Sequence, residues 1–344
     1  MFKNDPYFGD VLNQYRTHEW TEDTIDYINS GMIDMEKEIV PPIDKEVFYA
    51  CLTNRERNVI STSIFADHVN TTHPDFQRNI DHDTSICDDI PMHTVVIEGY
   101  MVHHQTNKDM GKDFHNNGDG DIKNGSHLIG PALKFYSGIP LMINTNKDLK
   151  KCKSGNGTLC RGVGIKLKPE KQLIWKNWDD KKVLTVSTKD LEYMVCEKWT
   201  DNRDSESPKE TFKIEPETCH VAMKLKLFGN EIYGNANDIK GIKMTQFPVN
   251  SNIATTGHKL QGQTRKLLVV GEWNYRCKNW VYVVLSRVTS IKGLFLSEEL
   301  SKDMEKYRIS DELWKEEQRL IDMDIETRKR IKWDEELKSG FGFN

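Results

Sequence analysis

Residues Ala254–Thr264 read ATTGHKLQGQT, and fifteen residues further on Asn279–Leu296 read NWVYVVLSRVTSIKGLFL. In the first stretch, His258, Lys259, Gln261 and Gly262 put several hydrogen-bond donors and a small residue at the end of a helix expected over Asn252–Gln261. Glycine suits the left-handed position just past a helix and lets backbone approach a phosphate closely. The competing reading is an ordinary amphipathic helix closed by a glycine cap. A strand, KLLVVG (266–271), follows. In the second stretch Val281, Val284, Leu285 and Val288 recur at helical spacing, so one face of a helix expected over Trp280–Thr289 is buried. Arg287 stands at the edge of that face. An arginine fork donates to phosphate oxygens two at a time and keeps its charge; the alternative is a structural arginine paired with a carboxylate. GLFL (293–296) reads as the next strand.

Working outward, Asp5–Asn29 carries apolar residues at helical spacing, broken around His18 and Trp20, and predicts two short helices. VFYACLTN (47–54) has the β-branched and aromatic content of a buried strand, and RERNVISTSIFADHV after it places Val59, Ile60, Ser63 and Ile64 on a helical face. HNNGDGDIKNGS (115–126) is almost all turn formers, within a mobile loop expected over 103–127. From Pro140 short β-like runs follow one another and predict a small barrel or twisted sheet inserted between two α/β segments. The last forty or so residues alternate charges around Leu313, Trp314, Leu320, Ile321 and Ile331. They read as solvated helices with one edge packed on the body.

Composition excludes several classes. The 344 residues carry a formal charge of −5 with a pI near 6.2, so no global basic excess argues for nucleic acid and any such binding must come from local patches. Seven cysteines without a CxxC pair predict reduced thiols and an intracellular protein. No run approaches the roughly 18 apolar residues of a membrane helix, so no membrane partner is expected. Asp119, Asp121 and Asn124 lack the closing glutamate of a calcium loop, the histidines are not at zinc spacing, and no metal site is expected. Lys147, Lys150, Lys151 and Lys153 make a candidate phosphate-facing patch. Trp175, Trp178 and Trp199 are candidates either for stacking bases or for the core and rim of the barrel.

HKLQGQT, a strand, a spacer and YVVLSRVTSIKGLFL together resemble motifs V and VI of superfamily 1 helicases of the Pif/RecD type, in the same order and at the same interval. FKNDPYFGDVLNQYR (2–16), LTNRERNVIS (52–61) and SGIPLMINTNKDLKKCKSGNGTLCRGVGIKL (137–167) extend the resemblance to most of residues 1–300. What it implies is an α/β, RecA-like second motor domain, a parallel sheet flanked by helices, interrupted by an SH3-like β-barrel. The implied units are 1–139 and 248–297 for the motor domain, 140–247 for the insertion and 298–344 for a charged helical tail.

The resemblance also implies roles. Arg287 would be the arginine finger on a γ-phosphate. His258, Lys259, Gln261, Gly262, Thr264 and Ser286 would couple the nucleotide to single-stranded DNA, and Thr53, Asn54, His258 and Lys259 would meet the DNA backbone. Leu260 departs from the pattern, which commonly has serine there. GxxxxGK[ST] is absent from the sequence, as is an apolar strand ending in Asp-Glu. ATP and Mg2+ are therefore expected only at an interface with an N-terminal P-loop domain, in cis or in trans, and the chain alone is expected not to hydrolyse ATP. By the same resemblance the chain is a C-terminal half, with the motif IV arginine expected just before Met1. A single-strand-binding module from a degenerate or mobile-element helicase is the alternative, and an interaction scaffold a third. The 5′-to-3′ direction, a nuclear or mitochondrial location, and links to DNA repair, recombination and telomere maintenance rest on resemblance alone.

Overall fold

The structure is a computed structural model; it describes residue 2 and residues 5–42, 45–80, 94–103, 122–124, 127–129, 132–146, 155–178, 181–199, 210–221, 242–277, 279–307 and 311–331. The chain opens with α1 (Pro6–Thr17) and α2 (Glu22–Asn29). Pro6 suits the first turn of α1, Asp5 caps it by accepting from Phe8 N, and Thr21 and Thr24 close a reciprocal cap on α2. Then come β1 (Phe48–Cys51) and the long α3 (Asn54–Ile80), as the sequence predicts.

β1 is a central strand of a four-stranded, all-parallel sheet that is completed only 200 residues later. Its neighbours are β16 (Ala254–Thr256) on one side and β17 (Leu268–Val270) on the other, with β18 (Leu294–Leu296) beyond β17. Helix α4 (Trp280–Leu285) links β17 to β18. One apolar core joins Phe8, Val11, Leu12 and Tyr15 of α1, Ile25 and Ile28 of α2, and the inward residues of the sheet and α4. Val59 is not on the buried face of α3; it is 61% exposed, while Phe65 and Val69 are buried.

Between β1 and β16 lie the remaining strands. β2 (Val95–Glu98), β6 (Ala132–Phe135), β9 (Ile174–Trp178) and β10 (Lys181–Ser187) form a mixed sheet, with β2 and β10 parallel. β7 (Ile139–Ile143), β8 (Leu159–Leu167), β11 (Leu191–Lys198), β12 (Thr211–Ile214) and β15 (Val249–Ser251) form an antiparallel one. β3 (Tyr100–His103), β13 (Glu217–Val221) and β14 (Ile242–Gln246) form a third. A second core fills the space between the first two of these sheets and Phe65 and Val69 of α3. The strand-rich part thus begins at Val95 and runs through Ser251, wider than the 140–247 expected, because β2 and β15 pair with strands inside that interval. Within the loop expected over 103–127, β4 (Ile122–Asn124) pairs with β5 (His127–Ile129). Residues 104–121, with Asp119 and Asp121, lie outside the described residues, as do the lysines at 147–153.

Two helices differ from expectation. The helix over Asn252–Gln261 is instead β16 followed by one 3-10 turn, Gly257–Leu260. Two β-branched threonines favour an extended chain, and register beside β1 settles it. The helix over Trp280–Thr289 stops at Leu285, where Ser286 and Arg287 turn the chain toward β18. The tail forms α5 (Asp311–Ile331), but beyond its first turns the apolar residues do not pack down: Leu320, Ile321 and Met323 are each about half exposed. No helix among the described residues is long and apolar enough to cross a membrane.

Candidate functional site

In an open parallel sheet, ligands meet the carboxyl ends of the strands, most often where the strand order reverses. Here the chain leaves β1 for β16 on one side and then crosses back to β17 on the other. Thr53 and Asn54 follow β1 at that end, and His258 and Lys259 follow β16, whose Thr256 pairs with Cys51. The sheet therefore brings the four residues expected to meet DNA to one edge, though they are 200 positions apart in sequence. Thr53 is exposed and caps α3: Glu56 N donates to its Oγ1 at 3.2 Å, while Leu52 N donates to Glu56 Oε2 at 2.7 Å. With Thr53 capping the helix and Glu56 holding the residue before it, α3 starts at the same edge. His258 lies in the 3-10 turn, its side chain outside the described set; Lys259 is half-buried.

Gly257 enters the turn against the indole of Trp280, whose Nε1 would stand 2.3 Å from an added Cβ. Gly262 leaves it at φ +75°, with open space where a side chain would point. Gln261, Gly262 and Thr264 are all exposed. Leu260 is fully buried among Trp280, Val281 and the sheet residues, so this departure from serine serves the core.

Arg287 lies on the other side of the loop. The chain from Leu260 to Arg265 carries it back to the amino end of β17, where Arg265 N donates to Arg287 O at 2.8 Å and Arg265 pairs with Val288. Among the described residues, the half-buried guanidinium is held by neutral oxygens. Nε donates to Val283 O at 2.8 Å, one Nη to Ser286 Oγ at 2.6 Å, and the other to Leu260 O and Gln263 O at 3.4 Å each. Burial lowers its pKa from the ordinary arginine value. The carboxylate partner of the structural alternative is not among these contacts. Ser286 itself is buried and donates to Val283 O.

Asp5 and Arg265 escaped the sequence reading, and Trp175 and Trp199 gain partners it did not foresee. Asp5 accepts from Phe8 N, Ser290 Oγ and Ile291 N, pinning α1 to the segment just after Arg287. Arg265 is 2% exposed, its guanidinium 3.9 Å from the Phe48 ring. Trp199 packs against the first core, with Arg161 4.1 Å over its ring and Arg265 5.2 Å from it. Trp175 packs against the second core. The caps at Thr53 and at Asp5 before Pro6 have a signal in sequence; the contacts of Asp5 with Ser290 and Ile291, and those of Trp199 and Arg265, join residues far apart in the chain.

No family model and no curated protein matches this chain. Among solved structures it is similar to the Pif1 helicase from Candida albicans, at 18% identity and a TM-score of 0.52, over 94% of this chain and 59% of that one. It is similar also to the Pif1 helicase from Bacteroides in complex with ADP-AlF3 and ssDNA, at 20% identity and a TM-score of 0.50, covering 94% and 55%. Bacteroides Pif1 bound to ssDNA matches at 19% and 0.50, covering 93% and 55%. The chain shares the fold of these helicases, a RecA-like α/β domain, and spans little more than half their length.

Proposed function

We propose that the chain is the second motor domain of an ATP-dependent DNA helicase, working against a P-loop domain supplied in cis or in trans. The observation that carries this is Arg287: a half-buried cation that, among the described residues, donates to neutral oxygens, at the end of the helix between β17 and β18. A phosphate oxygen is a stronger acceptor than a carbonyl, because the hydrogen bond is charge-assisted. Two of the contacts now made, at 3.4 Å, are near the long limit for a hydrogen bond and are given up at little cost. Arg287 is therefore suited to act as the finger that stabilises charge on a transferring phosphoryl group. ATP with Mg2+, held mainly by the P-loop domain, supplies that group when bound.

On this reading Thr53, Asn54, His258 and Lys259 contact the backbone of single-stranded DNA without reading bases. Gln261, Gly262 and Thr264 lie on the loop that runs from that edge to Arg287, and Ser286 holds the guanidinium ready. The strand-rich unit is the counterpart of an SH3-like insertion. One observation favours a second reading, a single-strand-binding module that hydrolyses nothing: Leu260 puts a buried aliphatic side chain where a hydroxyl is expected.

Arg287→Ala in a protein joining this chain to a P-loop domain distinguishes the two. The expected result is a fall in kcat of about 10³-fold or more, with single-strand affinity by fluorescence anisotropy nearly unchanged. A large loss of DNA affinity instead overturns the finger assignment.

A further inference from the structure

We propose that Trp199 and Arg265 are positioning residues for Arg287, carrying the placement of the strand-rich unit to that guanidinium along one continuous path. The path starts outside the parallel sheet. Arg161 of β8 is 5% exposed and makes a two-pronged ion pair with Glu46, just before β1, at 2.5 and 2.6 Å. The same guanidinium lies 4.1 Å over the ring of Trp199, which directly follows β11. Arg265 approaches that ring at 5.2 Å and lies 3.9 Å over Phe48, the first residue of β1, whose ring meets Trp199 edge-on at 5.8 Å.

From Arg265 the path enters the loop that holds Arg287. Its Nη2 donates to Gln263 Oε1, and the Gln263 carbonyl accepts from Arg287 Nη1 at 3.4 Å. Gln263 Nε2 donates to Lys259 O at 2.7 Å, and Arg265 N donates to Arg287 O at 2.8 Å. One short loop thus touches the strand-rich unit through a stacked guanidinium and Arg287 through two carbonyls. Stacking on two rings needs a planar cation, which arginine supplies and lysine does not. Were the cluster only a clamp between two cores, nothing would require it to end on the carbonyls that hold Arg287. A shift of the strand-rich unit moves Trp199, hence Arg265 and Gln263, and resets the weakest contacts of Arg287. The effect on ATP turnover rests on the finger reading above; the packing path does not.

The test uses the 344-residue chain with 15N-labelled arginine. In the unaltered chain the Arg287 Nε–H, bonded to Val283 O, is expected to give a resonance protected from solvent exchange. Trp199→Leu and Arg265→Lys are each expected to speed its exchange about tenfold, equivalent to about 1.4 kcal/mol. Trp199→Phe, which restores an aromatic face, is expected to keep it protected. The double variant is expected to be no worse than either single one, because both cut the same path. Should Trp199→Leu fail to fold, Gln263→Ala, on the loop itself, removes the same link without touching either core.

In the two-domain protein the folded variants are expected to lower kcat about ten- to a hundredfold with KM for ATP little changed, and Trp199→Phe to recover it. Arg287 protection that is unaltered in folded Arg265→Lys and Gln263→Ala overturns the proposal. Arg287→Ala that leaves hydrolysis intact overturns the finger reading instead, and the exchange measurement still decides the path.

Discussion

Asp5 shows how one short side chain organises residues at opposite ends of the sequence. Its carboxylate caps α1 and accepts from Ser290 and Ile291, directly after the turn that carries Arg287. Burial alone would raise its pKa, but the four hydrogen bonds from Ile291, Phe8, Ser290 and Tyr27 outweigh burial and hold it below the ordinary value. A depressed carboxylate contributes stability above its unfolded pKa, near ~3.9, and loses it as the pH falls through the lower folded value. Asp5→Asn is therefore expected to cost about 1–2 kcal/mol at pH 7, measured by urea unfolding, with the gap to the unaltered protein closing toward pH 3. A gap that is constant with pH would mean that the ionisation of Asp5 contributes nothing to it. Gly257 makes a second residue-scale case. Any side chain there meets the Trp280 indole at 2.3 Å, so Gly257→Ala is expected to destabilise by about 1–3 kcal/mol, and an unchanged urea midpoint would show that the turn relaxes freely.

At the scale of elements, α3 and α5 behave oppositely. α3 begins with a Thr53 cap on Glu56 N and buries Phe65 and Val69 in the second core. α5 touches the body near its start, through His18 to Glu317 at 3.2 Å and the His18–Trp314 ring contact, and leaves its apolar side chains about half exposed. Backbone amides of α5 are expected to exchange with solvent faster than those of β1 and β17; equal protection would mean that the helix is held by contacts beyond these two. Apolar periodicity was enough to place α1, α2, β1, β17 and β18, because each buries one face in a single core. It misled at Asn252–Gln261, where β16 is only three residues long and too short to show a strand period. It misled again in α5, because an apolar stripe in sequence does not say whether anything covers it.

Over the whole molecule, the parallel sheet is built from strands 200 residues apart, and its order, β16-β1-β17-β18, is invisible to local pattern. What was legible was the pair of stretches at its two ends, since HKLQGQT and LSRVTS each lie on a loop that the sheet must place. Arg265 and Trp199 were not legible, because a lone arginine and a lone tryptophan carry no period and gain meaning only from each other. The proposed function makes these 344 residues one half of a motor whose phosphate cradle is supplied by another domain. It is tested most directly by single-strand-stimulated ATPase, measured for this chain alone and for the chain joined to a P-loop domain through a motif IV arginine. Hydrolysis by the joined protein and none by the chain alone is the predicted result. A folded joined protein that binds single strands yet hydrolyses nothing would contradict the claim and leave a DNA-binding module.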